Sequence, residues 1–194
     1  GICAVLRAEL TMMFCSGTPG AWGLWLRSKL YPAFFKSAGR GVVFGRNITL
    51  RHTYKVTLGD NVIIDDNCVI DAKGDTNSGI EIGDNVYIGR NSIISCKHGN
   101  IHIGNRCNIS ANCDLFSSNR LSLADGVIIG AYSYLLSGGA YDYSSAVPFC
   151  EQDGNNTKGP LDIGENTWIG AGVMVLDAAS IGRHCVIGAG AVVT

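Results

Sequence analysis

The stretch "LDIGENTWIGAGVMVL", residues 161–176, places Ile163, Ile169 and Val175 six apart, with glycine directly after the first two. A helix repeats its faces every 3.6 residues and cannot hold a beat of six on one side. A hairpin sheet has no reason to keep strict sixes through a whole circuit. Outward from this stretch the same triplet returns at Leu58/Ile64/Ile70, Ile82/Ile88/Ile94, Ile103/Ile109/Leu115, Leu123/Ile129/Leu135 and Ile181/Ile187/Val193. The pattern predicts a parallel β-solenoid of about six 18-residue coils, each with three short strands and an inward aliphatic triangle.

Glycine follows the aliphatic residue at Gly59, Gly83, Gly89, Gly104, Gly130, Gly164, Gly170, Gly182 and Gly188. Two positions beyond that phase, asparagine recurs at Asn61, Asn67, Asn85, Asn91, Asn112 and Asn166. Both residue types tolerate positive φ, so both are expected at the corners.

The composition agrees with a turn-rich globular chain: 26 glycines in 194 residues, 46% apolar residues and 16% charged ones. A net charge of −1 gives no global pull toward nucleic acid. Eight cysteines without a CxxC pair or a secretory leader fit a reducing cytoplasm. Cys68, Cys107, Cys113 and Cys185 share one phase of the beat and read as small core residues.

Residues 1–41 stand apart as an N-terminal helical cap, with helical segments at 2–15 and 20–37 split by "SGTPG". Five basic residues against the single acid Glu9 give this segment a local net of +4. Trp22, Trp25, Phe34 and Phe35 interleave with Arg27, Lys29 and Lys36 through 20–37. The segment is expected to cover the first coil and to touch the inner face of a membrane peripherally. Pro19 and the glycines leave no apolar run long enough to span one.

The solenoid proper is assigned to 42–194. Successive coil starts lie 24, 21, 20, 40 and 18 residues apart from Leu58 to Ile181, so one surplus of 22 residues is concentrated at 138–160. A long loop on a rigid scaffold is where binding residues are expected.

"KGPLDIGENTWIGAGVMVL" and "IGRHCVIGAGAVVT" behind such a loop resemble the hexapeptide-repeat acyltransferases, in particular the sugar and polysaccharide O-acetyltransferases of the galactoside acetyltransferase type. The resemblance covers 42–194 and implies a left-handed β-helix, a homotrimer, and acetyl-CoA bound in grooves between subunits, with the loop reaching across. It implies transfer of acetyl to a sugar or polysaccharide hydroxyl by direct attack on the thioester, and its pattern continues past "VVT" with a lysine and a proline-rich turn. It places cofactor contacts at Ala171, Ala189 and Thr194, with Trp168 as a wall, and a substrate contact at Asn112.

The family's catalytic histidine would fall on Ala140 or Tyr141, within "AYDY". Asp142 is then the candidate base or hydroxyl-orienting acceptor, Tyr141 a substrate contact, and Tyr143 the aromatic that packs the loop down. His52, His98, His102 and His184 are the remaining imidazoles, and they form no obvious three-ligand metal set. The alternatives are an N-acetyltransferase of an amino sugar, a silent acyl-CoA-binding scaffold, and a zinc enzyme of the γ-carbonic-anhydrase kind.

Overall fold

The computed structural model describes residues 2–194. Helices α1 (Ile2–Cys15) and α2 (Gly20–Leu30) lead into a 3-10 turn at Tyr31–Phe34, and parallel strands follow to Val193. The strands form three parallel sheets of seven, each joining every third strand of the chain. This is a β-helix. Its registers pair Ile88 with Ile109, Ile109 with Ile129 and Ile129 with Ile169, so each aliphatic column runs up one inner face. At about 4.8 Å per coil the stack stands roughly 30 Å tall.

There are seven coils, one more than the triplets suggested, and the first begins at Ser37, ahead of the expected boundary at 42. Its triplet is Ala38, Phe44 and Leu50, spaced by six but without an isoleucine. Phe44 fills the first triangle and meets Tyr31 and Phe35 at ring-centroid distances of 5.5 Å. The cap is pinned by Arg27, only 1% exposed, whose guanidinium donates to the carbonyls of Phe44, Cys15 and Thr18 at 2.8–2.9 Å.

Glycine and asparagine turn out to do different work. All six asparagines adopt the left-handed conformation, as does Asn47 in the first coil. Their amides stack between coils, Asn67 to Asn91 at 3.2 Å and Asn91 to Asn112 at 3.1 Å. None of the nine glycines after the aliphatic residues has positive φ. All but Gly182 and Gly188 are small because the next coil passes directly over them: a Cβ on Gly130 would lie 2.5 Å from the Ala171 amide nitrogen.

Gly188 has nothing within 4 Å of that position. Gly130→Ala is therefore expected to cost about 1–3 kcal/mol, with Gly188→Ala near neutral. Urea denaturation of the two variants checks the contrast.

Cys68, Cys107 and Cys113 are buried, and burial pushes the Cys68 and Cys107 thiols up to about 11, the chemistry of inert core residues.

Candidate functional site

The insertion leaves the fifth coil after Ser137 and rejoins the sixth at Leu161. Both of its ends are held by the carboxylate of Asp177. Its Oδ1 accepts from the Gly138 amide at 2.6 Å and the Thr157 hydroxyl at 3.0 Å, and its Oδ2 accepts from the Lys158 amide. The two arms then pair through a reciprocal backbone bridge between Ala140 and Asn156. The loop folds back over earlier coils: Gly139 lies over Phe116, Asn119 donates to Thr157, and Lys97 donates to the Asp153 carbonyl.

Between the arms lies a cleft of about 270 Å³ lined by Ala140, Tyr141, Asp142, Tyr143, Asn156 and Lys158, among others. Tyr141 and Asp142, the candidates named from the sequence, both line it. Asp142 holds a turn: its Oδ1 accepts from the Ser144 hydroxyl at 2.6 Å and the Ser144 amide at 2.9 Å. Those bonds, the hydroxyl's first, keep its carboxyl below the usual range, so it is ionised at neutral pH and a weak base.

Tyr143 does not pack the loop down. It is 82% exposed, and Tyr141 takes that role, meeting Phe149 edge-on at 5.9 Å and lying against Gly154. Gly154, at φ +65°, leaves the space that the Tyr141 ring uses, so the chain turns beneath that ring and leaves Tyr143 in solvent.

The residues assigned to the cofactor lie elsewhere on the prism. Ala171 and Ala189 stack on the edge that also carries Asn112, and the Gly190 amide donates to the Ala171 carbonyl at 2.8 Å. Trp168, 55% exposed, stands on the adjoining face between Ile128 and Val186. Thr194 is exposed just beyond the last strand. Asn112 accepts from Asn91 through Oδ1, while its Nδ2 has no partner among the described residues.

One acidic residue escaped the sequence reading. Asp114 opens the strand Asp114–Ser117 on the outer row whose neighbours are Ile93, Tyr134 and Met174. Its Oδ1 is buried without a hydrogen-bond partner. Desolvation raises its pKa, and the Tyr134 phenol is raised too, first by burial and then by this carboxylate. Phe116, two residues along the same outer face, carries the root of the loop. A single acid in a row otherwise held by Thr49, Val69, Ile93, Tyr134, Met174 and Val192 was the signal that would have found it.

The histidines occupy other places. His52, His98 and His184 are left-handed corner residues, and His102 faces Glu81 at 3.6 Å. Among the described residues no cluster of three or more His, Cys, Asp or Glu side chains is arranged to hold a metal ion.

Comparison with known proteins places the repeats. Residues 162–194 match the bacterial transferase hexapeptide (six repeats), and residues 79–116 match the hexapeptide repeat of succinyl-transferase. Galactoside O-acetyltransferase of Escherichia coli is 32% identical over 95 residues, 49% of this chain and 45% of that protein. The chain spans about half the length, or less, of the curated relatives it matches. Among solved structures, AntD, an N-acyltransferase from Bacillus cereus in complex with dTDP-4-amino-4,6-dideoxyglucose and coenzyme A, superposes with a TM-score of 0.57. It is 18% identical, over 80% of each chain, which is a likeness of fold.

Proposed function

We propose, from the premise that this chain is a β-helix built on the hexapeptide repeats of bacterial transferases, that it moves an acetyl group from acetyl-CoA to a sugar. The observation that carries the reading is the insertion, whose two ends are fixed by one carboxylate so that a polar cleft is held off the scaffold. Two relatives by sequence or fold carry sugar chemistry in their names, one acting on a hydroxyl and one an N-acyltransferase with an amino sugar bound.

In this reading the pantetheine arm runs along Ala171 and Ala189, where small side chains permit close approach, with Trp168 as its wall and Thr194 at its end. The loop cleft and this edge stand apart on one chain, so the complete site belongs to a homotrimer in which the loop of one copy meets the edge of the next. The exposed columns Ile128–Trp168–Val186 and Ile93, Met174 and Val192, on adjoining faces, are the apolar surface that such packing would cover.

The acceptor oxygen or nitrogen attacks the thioester carbonyl as its proton passes to Asp114; the carbon–sulfur bond then breaks, and Asp114 returns the proton to the sulfur, so that coenzyme A leaves as the thiol. Asp114 suits the task because a desolvated carboxylate is a stronger base than an exposed one. Asp142, kept ionised, orients the acceptor; Tyr141 walls the sugar, and the free Nδ2 of Asn112 donates to it.

The test is isothermal titration of acetyl-CoA, followed by a thiol-release assay with a galactoside and with a dTDP-linked amino sugar. One site per subunit is expected, with turnover on one acceptor class deciding between hydroxyl and amine. Absence of acetyl-CoA binding sinks the reading.

A further inference from the structure

The helical cap exposes apolar side chains in an order that coil-covering alone does not require. On α1, Leu6, Leu10, Met13 and Phe14 fall at i, i+4, i+7 and i+8, one face of a helix, and all four are exposed, Phe14 by 72%. The side of α1 turned to the coil is carried by Cys15, which is buried, and by Met12, which packs against the core. On α2, Trp22, Trp25 and Lys29 form a second outward row; the indoles stack at 5.0 Å and Trp22 is 62% exposed. A helix pair that only sealed the first triangle would turn these side chains inward.

The cap is also a rigid platform. Arg27 ties α2 to the α1–α2 turn and to the first coil, and Tyr31 and Phe35 are buried against Phe44. Its exposed groups are therefore held in place. Beside the helices runs a second feature, a trough of about 560 Å³ between α1 and the first coil. Met12, Phe34, Phe35 and Leu50 line it, together with the charged residues Glu9, Lys36 and Arg51.

We propose that this face docks on an anionic lipid bilayer, with the α1 stripe and the two indoles at the level of the headgroups and Lys29 and Lys36 toward their acidic groups. The charge argues for lipid over a second copy of the chain. Among the described side chains of 1–41 the exposed cations outside an ion pair are Lys29 and Lys36, against the single acid Glu9, because Arg27 is buried on carbonyls and Arg40 pairs with Asp60; two such faces would still meet with like net charge. Indoles beside lysines match the amphipathic boundary of a bilayer, where a ring has one apolar side and one wet one. No helix among the described residues is long and apolar enough to cross a membrane, so the contact lies in the plane of the surface. None of this depends on the acetyl-transfer reading.

The experiment is flotation of the full chain with vesicles of phosphatidylcholine alone and of phosphatidylcholine mixed with phosphatidylglycerol. Binding to the mixed vesicles is expected, at least tenfold above the neutral ones and weakening as salt is raised. Lys29→Glu with Lys36→Glu should cut it by about fivefold or more per lysine. Trp22→Ala with Trp25→Ala should reduce it by a comparable factor while far-ultraviolet dichroism stays unchanged, since both side chains are exposed. Absence of flotation with either vesicle overturns the proposal, as does equal flotation of wild type and the tryptophan variant. A tryptophan variant that instead lowers the oligomer mass in light scattering also overturns it, by showing that a second copy covers the face.

Discussion

Arg27→Ala is expected to destabilise the cap by about 3–5 kcal/mol, the range for removing a buried charge that holds several partners. The guanidinium is almost wholly enclosed, and burial lowers its pKa, yet it stays cationic because it is bonded to carbonyls on two sides of the cap. Nε donates to the Phe44 carbonyl in the first coil at 2.9 Å, and Nη1 donates to those of Cys15 and Thr18. Alanine leaves the buried Phe44 carbonyl without its donor and takes a donor from those of Cys15 and Thr18, and an unpaired buried acceptor costs about 1–3 kcal/mol by itself. Lysine restores the charge but not the fork, so Arg27→Lys should recover only part of the loss. Tryptophan fluorescence during urea denaturation reports the outcome, since Trp22 and Trp25 lie in the cap and Trp168 in the sixth coil. An early transition confined to the cap indoles is the expected result. A wild-type curve for Arg27→Ala would show that packing of Tyr31 and Phe35 holds the cap unaided.

Asp114→Asn is expected to divide stability from activity. Burial raises this carboxyl's pKa in the folded chain, so the fold binds its proton more tightly than the unfolded chain does. The stabilising contribution of that proton is full below the ordinary carboxylate range and is lost as pH rises through the folded value. At neutral pH the ionised, unpartnered carboxylate is a liability, and the neutral amide should melt higher than wild type. Below pH 4 the two should converge. Acetyl transfer should fall by about 10²–10⁴-fold, the usual contribution of a general base, with little change in acetyl-CoA affinity. The rise of rate with pH expected of the wild type should disappear with it. A variant that gains stability and keeps its turnover would assign Asp114 to structure and return the base to another residue.

Much of this molecule was legible before any coordinates. The triplets placed the inward columns, and the surplus between Leu123 and Ile163 placed the loop at its observed bounds. The first coil was missed because Ala38 and Phe44 do not look like their larger aliphatic counterparts, although Leu50, Gly39 and Gly45 already marked the beat. Phe44 stands there because the end triangle is closed by aromatic rings from the cap and not by another coil of isoleucines.

Inside the loop the sequence offered composition and little else. Its geometry depends on Asp177, 39 residues from Gly138, and no local pattern announces that pairing. Asp142 could be named from the "YDY" match, but only its bonds to Ser144 show an acid held ionised and weakly basic. Tyr141 and Tyr143 are adjacent in alternation, and which of them packs is decided by Gly154 beneath the ring.

The glycines under each coil have a consequence for how such a chain can change over time. The methyl missing from Gly130 is missing on account of Ala171, a residue of the following coil. Each circuit therefore carries the imprint of the one laid above it, and the imprint runs in one direction only. Cutting the chain at the same phase in two circuits and removing what lies between rejoins an imprint to a backbone of the same shape. A stack of this kind can shed or duplicate whole circuits without learning a new contact, while a single methyl in the wrong circuit is felt at once.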